Sequence, residues 1–219
     1  MRETKNKYIP ALEHDWLTRL YDPLMRWIMP EDRFKRRLIE QAQIQRGYRV
    51  LDLGCGTATL TILIKQIHTE SEVVGLDGDP KVLKFARAKA AKAGVDIDFD
   101  LGMAYQLPYT DDSFDCVLSS LLLHHLTREN RVQTLKEVFR VLRPGGELHV
   151  ADFGKPHNAL MYLISQIIRR LEEASDNISG LLPEMFREVG FDQIRESVQY
   201  MTMFGTLSLY RARKAEVEA

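Results

Sequence analysis

The run Val50-Leu-Asp-Leu-Gly-Cys-Gly-Thr-Ala-Thr-Leu60 carries an apolar strand pattern straight into a glycine turn and then a helix start, and that junction limits what the chain can fold into. Val50, Leu51 and Leu53 have the character of a strand buried on both faces. Gly54 and Gly56 lack the Cβ atoms that would hold a ligand away from the backbone. A Gly-x-Gly alone is a weak signal. A second strand-like run, Glu72-Val-Val-Gly-Leu-Asp77, strengthens it, because Asp77 ends that run 21 residues beyond Gly56. An acid at about that distance holds a ribose diol in a βαβ unit.

Two cofactor classes use such a unit. A nicotinamide or flavin loop has a third glycine, which brings the helix N-terminus close to a pyrophosphate. Here Thr59 stands at that place, and Asp52 lies two residues before the first glycine. The Asp-x-Gly-x-Gly-x-Ala pattern resembles motif I of the class I S-adenosylmethionine-dependent methyltransferases, in which glycine is commoner at the place of Ala58. Their cofactor has an ammonium group and no phosphate, so a carboxylate beside the loop suits it.

Later blocks match the same family in order. Gly75-Leu-Asp77-Gly-Asp-Pro80 resembles its ribose-binding strand end, followed by a helix from Lys81 to Ala93 that Gly94 stops. Leu107-Pro108-Tyr109 with Asp112-Ser-Phe-Asp115 leads into a fourth strand, Cys116 to Ser119, followed by Leu121-Leu-Leu-His-His125. Glu137 to Glu147 resembles the family's helix and Pro-Gly-Gly turn ahead of a fifth strand, Glu147 to Ala151. Tyr21-Asp22, Phe153-Gly-Lys-Pro156 and Gly190-Phe191 bring the chain nearest to the ubiquinone/menaquinone biosynthesis C-methyltransferases and their uncharacterised relatives. Two departures stand out. His124-His125 replaces an Arg-Asn pair, so substrate identity does not carry over, and Met103 replaces an acid that would contact the adenine amine.

The resemblance implies an α/β fold: a Rossmann-like three-layer sandwich on a mainly parallel seven-stranded sheet with an antiparallel C-terminal strand. Alternation of strand and helix patterns supports the parallel part. The alternation breaks near the end, where Gln193 to Met203 and Thr206 to Arg213 form a hairpin that places an antiparallel strand at the sheet edge. S-adenosylmethionine is the implied cofactor, held by Asp52, Gly54, Cys55, Gly56, Asp77, Gly78, Met103, Ala104 and Ser119.

Residues 1–46 read as an N-terminal helical lid and 47–219 as the methyltransferase domain. The lid pattern is Leu12, Trp16, Leu20 and then Phe34, Leu38, Ala42, spaced four apart. Such helices either pack on the sheet or close the site against water. A helix pattern with Leu160, Ile164, Ile167 and Leu171 on one face is too short to span a bilayer, which takes about 20 apolar residues. It suits a roof for the acceptor pocket, with partner or membrane contact as the alternative.

At 219 residues, the chain can bury a three-layer core without splitting into linked parts. The first seven residues lack the apolar run of a secretion signal, so a cytoplasmic protein is expected. Cys55 and Cys116 read as small packed residues rather than a disulfide or metal pair. Net charge is −1, but residues 1–49 hold 11 Lys/Arg against 7 Asp/Glu. That excess suits either a solvated helix face or contact with anionic lipid.

Methyl transfer to a small acceptor such as a quinone precursor or phenol is the expected function. Alignment and desolvation carry most of the barrier, helped by a base where the acceptor must lose a proton. His124 leads as that base, since it follows the fourth strand at the end where open α/β sheets bind ligands. Packing and capping are the competing use of the His-His pair. Tyr21 is the other catalytic candidate, through its phenol. Phospholipid N-methylation and a non-catalytic cofactor-binding regulator are the alternatives. A nucleic-acid substrate is disfavoured, because Ser119-Ser-Leu-Leu122 stands where a base-stacking motif would lie.

Overall fold

The computed structural model describes residues 31–154, 181–202 and 205–216. In chain order these form α1 (Glu31–Ala42), β1 (Arg49–Leu53), α2 (Thr59–Ile67), β2 (Glu72–Asp77), α3 (Pro80–Ala93), β3 (Asp98–Leu101) and β4 (Phe114–Ser120). A 3₁₀ turn (Leu123–His125), α4 (Arg128–Val141), β5 (Leu142–Phe153), α5 (Leu182–Val189), β6 (Asp192–Thr202) and β7 (Gly205–Arg213) follow.

Local chemistry explains the helix ends. Asp79 caps α3 by accepting the Lys81 N–H at 2.8 Å, Pro80 occupies the first turn, and Gly94 closes the helix in a left-handed conformation. Thr127 caps α4 in the same way, accepting the Asn130 N–H. That helix stops at Val141, and Arg143-Pro-Gly-Gly146 then makes an irregular excursion in the β4–β5 pairing before Glu147 resumes it. Gly146 is required there, since a Cβ would come within 2.8 Å of the Arg143 carbonyl oxygen.

The seven strands lie in the order β3-β2-β1-β4-β5-β7-β6. Pairing is parallel from β3 to β5, and β7 runs antiparallel to both β5 and β6. The expected antiparallel strand is therefore present, but it sits inside the sheet, and β6 forms the edge. Composition accounts for the exchange. Gly205 to Tyr210 are all buried, whereas β6 alternates Ile194, Val198 and Tyr200 with charged and amide residues and carries two register shifts. Polar, irregular strands suit an edge because they resist further pairing.

Helices cover both faces. Alternate residues of the buried strands point to opposite sides, so Val50, Val73, Leu118 and Leu209 meet α1 and α2. Leu51, Leu76, Val117 and Val150 meet α4 and α5. Phe34, Leu38 and Ala42 of α1 lie in the first of these cores, which makes this part of the 1–46 segment a layer of the sandwich. Polar contacts lock it in place: the Gln41 amide donates to the Tyr210 carbonyl oxygen at 3.0 Å and to His149 Nδ1 at 3.1 Å. His149 Nε2 then donates to Glu147 at 3.0 Å. Leu12, Trp16, Leu20 and the helix pattern at Leu160, Ile164, Ile167 and Leu171 lie outside the described residues, as does Tyr21. No helix among the described residues is long and apolar enough to cross a membrane.

Candidate active site

The loop after β1 is stapled to the end of β2. Gly54 and Cys55 both donate their N–H groups to the Leu76 carbonyl oxygen, at 2.8 and 3.0 Å. One residue further on, the Gly56 N–H donates to Asp77 Oδ2 at 2.9 Å, and the Asp79 N–H donates to Oδ1 at 3.0 Å. The carboxylate of Asp77 is thus oriented by backbone from both sides. Burial raises its pKa, and these N–H bonds oppose the rise.

The two loop glycines serve different ends. At Gly54, with φ +71°, a Cβ would meet the Leu122 side chain at 2.8 Å, so this glycine makes room for packing rather than for a ligand. At Gly56, with φ +54°, the space where a Cβ would point is open to 4 Å. That open position lies beside the Asp77 carboxylate. Ala58 takes a left-handed conformation with φ 64° to start α2, although it is not glycine.

Cys55 turns its side chain into a small core with Phe99 and Leu83, where burial pushes the thiol pKa well up. Its backbone is the part that belongs to the loop. Both cysteines are free and buried, as packed residues should be. Asp52 lies fully buried beneath the loop and accepts the Thr61 hydroxyl at 2.6 Å. Burial pushes its pKa up to about 6 against the Thr61 bond and the nearby Lys35 ammonium, which pairs with Glu31.

Beyond β3, Gly102 donates to the Asp77 carbonyl oxygen at 3.1 Å and ties the following loop to the end of β2. Met103 and Ala104 are half-buried in that loop, with Met103 closing a small bridge to Gln106. Gly78 is half-buried next to Asp77. Ser119, buried near the end of β4, donates its hydroxyl to the Leu53 carbonyl oxygen at 3.1 Å and so ties β4 to the start of the glycine loop. The cofactor candidates converge on the C-terminal ends of β1, β2, β3 and β4, with Asp52 and the Cys55 thiol set back into the core.

The chain leaves β4 through Leu121, a leucine held at φ 59°, and turns over Leu123–His125. His124 Nδ1 lies 2.9 Å from Asp152 Oδ1 at the end of β5. Asp152 is fully buried and also accepts the Leu123 N–H at 2.8 Å and the Phe153 N–H at 2.7 Å. Burial works to raise its pKa, but the His124 charge and these bonds prevail and hold it below the ordinary value. An ionised carboxylate accepts only, so Nδ1 is the nitrogen that donates to Asp152, and Nε2 is the ring nitrogen on the other side. Among the described residues no group bonds Nε2. His125 stacks at 3.9 Å between ring centroids, and burial, helped by the His124 charge, lowers its pKa to about 4. Phe153 closes the other side of His124 at 4.9 Å, edge to face.

Sequence reasoning missed Asp152. The only signal was an acid one residue past the expected strand end at Ala151, 28 positions from the histidine that it orients.

Comparison with known proteins agrees with this arrangement. A family model described as "Methyltransferase domain" matches residues 50–146. A demethylmenaquinone methyltransferase of Listeria monocytogenes is 30% identical over 186 residues, covering 74% of this chain and 78% of the relative. An uncharacterized methyltransferase of Synechocystis is 32% identical over 186 residues, covering 84% of each. Among solved structures, a SAM-dependent methyltransferase from Methanosarcina mazei superimposes with a TM-score of 0.66 at 23% identity, covering 82% of this chain and 98% of that one, which speaks for the fold.

Proposed function

Because the chain belongs to the class I S-adenosylmethionine-dependent methyltransferases, we propose that it methylates a small acceptor of the quinone-precursor or phenol type, with His124 as general base. The family makes S-adenosylmethionine the cofactor, and the residues present fit it. The open position at Gly56 lies next to a carboxylate already aimed by two backbone N–H groups, which suits a ribose diol. Asp77 would hold the two ribose hydroxyls, Met103 and Ala104 would flank the adenine, and Asp52 would attract the ammonium through the loop. When bound, the cofactor supplies an electrophilic methyl group with a thioether as leaving group.

The observation that carries the acceptor class is the pair His124–Asp152. An imidazole whose Nδ1–H is fixed on a buried carboxylate can take a proton only through Nε2, which makes it an oriented base. Such a base is useful where the acceptor has a proton to lose, as a phenol does. Asp152 holds the tautomer and stabilises the imidazolium that forms after the proton moves. The name of the Listeria relative, a demethylmenaquinone methyltransferase, supports a quinone-type ring. The 1–46 lid enters the proposal in a narrower form. With α1 built into the core, exclusion of water falls to residues 1–30, and Tyr21 would act from there.

A screen of quinone precursors, phenols, amines and phospholipids with labelled cofactor tests the reading. Transfer to phenolic or quinol acceptors is expected, with His124→Ala lowering the maximal rate by about 10²-fold at unchanged cofactor affinity. Transfer only to phospholipid, or cofactor binding without transfer to any class, would replace it with one of the two alternatives. Deleting residues 1–20 should abolish turnover if the lid excludes water, and a fully active deletion removes that part.

A further inference from the structure

The turn that carries His124 is held by a buried cation as well as by Asp152. Arg131, on the first full turn of α4, is 1% exposed. Its Nε donates to the Leu123 carbonyl oxygen and its Nη2 to the Leu126 carbonyl oxygen, both at 3.0 Å. Those two carbonyls bracket His124 and His125. Leu123 is therefore held at both of its peptide groups, with its N–H on Asp152 and its C=O on Arg131.

The turn needs such help. It is three residues long, it follows the left-handed Leu121, and its internal backbone bonds are His125 N–H to the Leu122 oxygen and Leu126 N–H to the Leu123 oxygen. Burying a guanidinium is costly, and an apolar side chain would fill the same space at less cost. What the guanidinium alone provides is a planar fork that reaches two carbonyls at fixed separation. A lysine offers a single point of charge there.

We propose that Arg131 is a positioning residue for methyl transfer: its guanidinium fixes the Leu123–Leu126 turn so that the His124 ring stays on Asp152 with Nε2 free for the acceptor. This rests on the base role of His124. Asp152 from β5 and His125 from its own turn meet this imidazole, while Arg131 from α4 acts on the backbone of the turn.

The test uses the full chain with ring-¹⁵N histidine, in the parent and in Arg131→Lys and Arg131→Gln. Each variant is first shown to bind S-adenosylhomocysteine with parental affinity. The parent should show His124 as a single Nδ1–H tautomer. In the variants the His124 nitrogen shifts should move toward the average of two tautomers, and kcat should fall about 10- to 100-fold at unchanged cofactor KM. A purely structural role would lower the melting temperature while leaving the His124 shifts and kcat per folded molecule at parental values, and that result overturns the proposal. His124→Ala at the parental rate would remove the base role and not the clamp, because the nitrogen shifts read the ring's position without any turnover.

Discussion

Asp52→Asn separates the stability of the loop from its function. Native Asp52 is fully buried, and burial raises its pKa from the ordinary 3.8 to about 6. At about 1.36 kcal/mol per pH unit, that rise makes ionised Asp52 cost the native state about 3 kcal/mol relative to the unfolded chain. The sign follows from proton binding. Between pH 3.8 and about 6 the native state holds the proton more tightly than the unfolded one, so stability falls as pH rises through this window and stays reduced above it. Asparagine has the same shape, no charge, and an oxygen that still accepts the Thr61 hydroxyl. The variant should therefore be more stable than the parent by up to about 3 kcal/mol at pH 8 and by roughly half as much at pH 5. Urea denaturation of both proteins at the two pH values measures this. Comparing variant with parent cancels titrations common to both, such as those of His125 and Glu147. Affinity for S-adenosylhomocysteine should move the other way, weakening about tenfold through loss of a charged partner for the ammonium. An equal stability difference at pH 5 and pH 8, or a variant less stable at pH 8, would refute the reasoning about the buried charge.

Asp77→Ala removes the carboxylate beside Gly56, and calorimetry should show cofactor affinity reduced by about 10²- to 10⁴-fold, from two charge-assisted bonds of roughly 1.5–3 kcal/mol each; unchanged affinity would remove the ribose assignment. Met103→Asp restores the acid that the family uses for the adenine amine, so cofactor binding should tighten or hold steady, and a large loss would show that the methionine packs on the ligand. Gly54→Ala forces a Cβ toward Leu122 in a left-handed backbone and should destabilise the fold by about 1–3 kcal/mol in urea melts. Gly54→Ala combined with Leu122→Ala should recover part of that loss, which identifies packing as the cause.

The amino-acid sequence by itself determined the order of elements, the glycine loop with Asp77, the stop at Gly94 and the Pro-Gly-Gly excursion. These depend on short-range rules: strand alternation, helical spacing, and the freedom of glycine in a left-handed turn. Each can be read one segment at a time. The tertiary structure decided what depends on distant neighbours. Gly54 is a glycine because Leu122 packs over it, 68 positions along. The hairpin strand β7 went inside the sheet and β6 to its edge because Leu207 and Leu209 are buried on the α1 side, whereas β6 is polar and irregular. His124 found its carboxylate partner in Asp152, and its turn is held by Arg131, neither of which shares a local pattern with it. Burial is the reason, because a charge taken out of water must find its partner wherever the fold puts one, and no spacing rule along the chain records that choice.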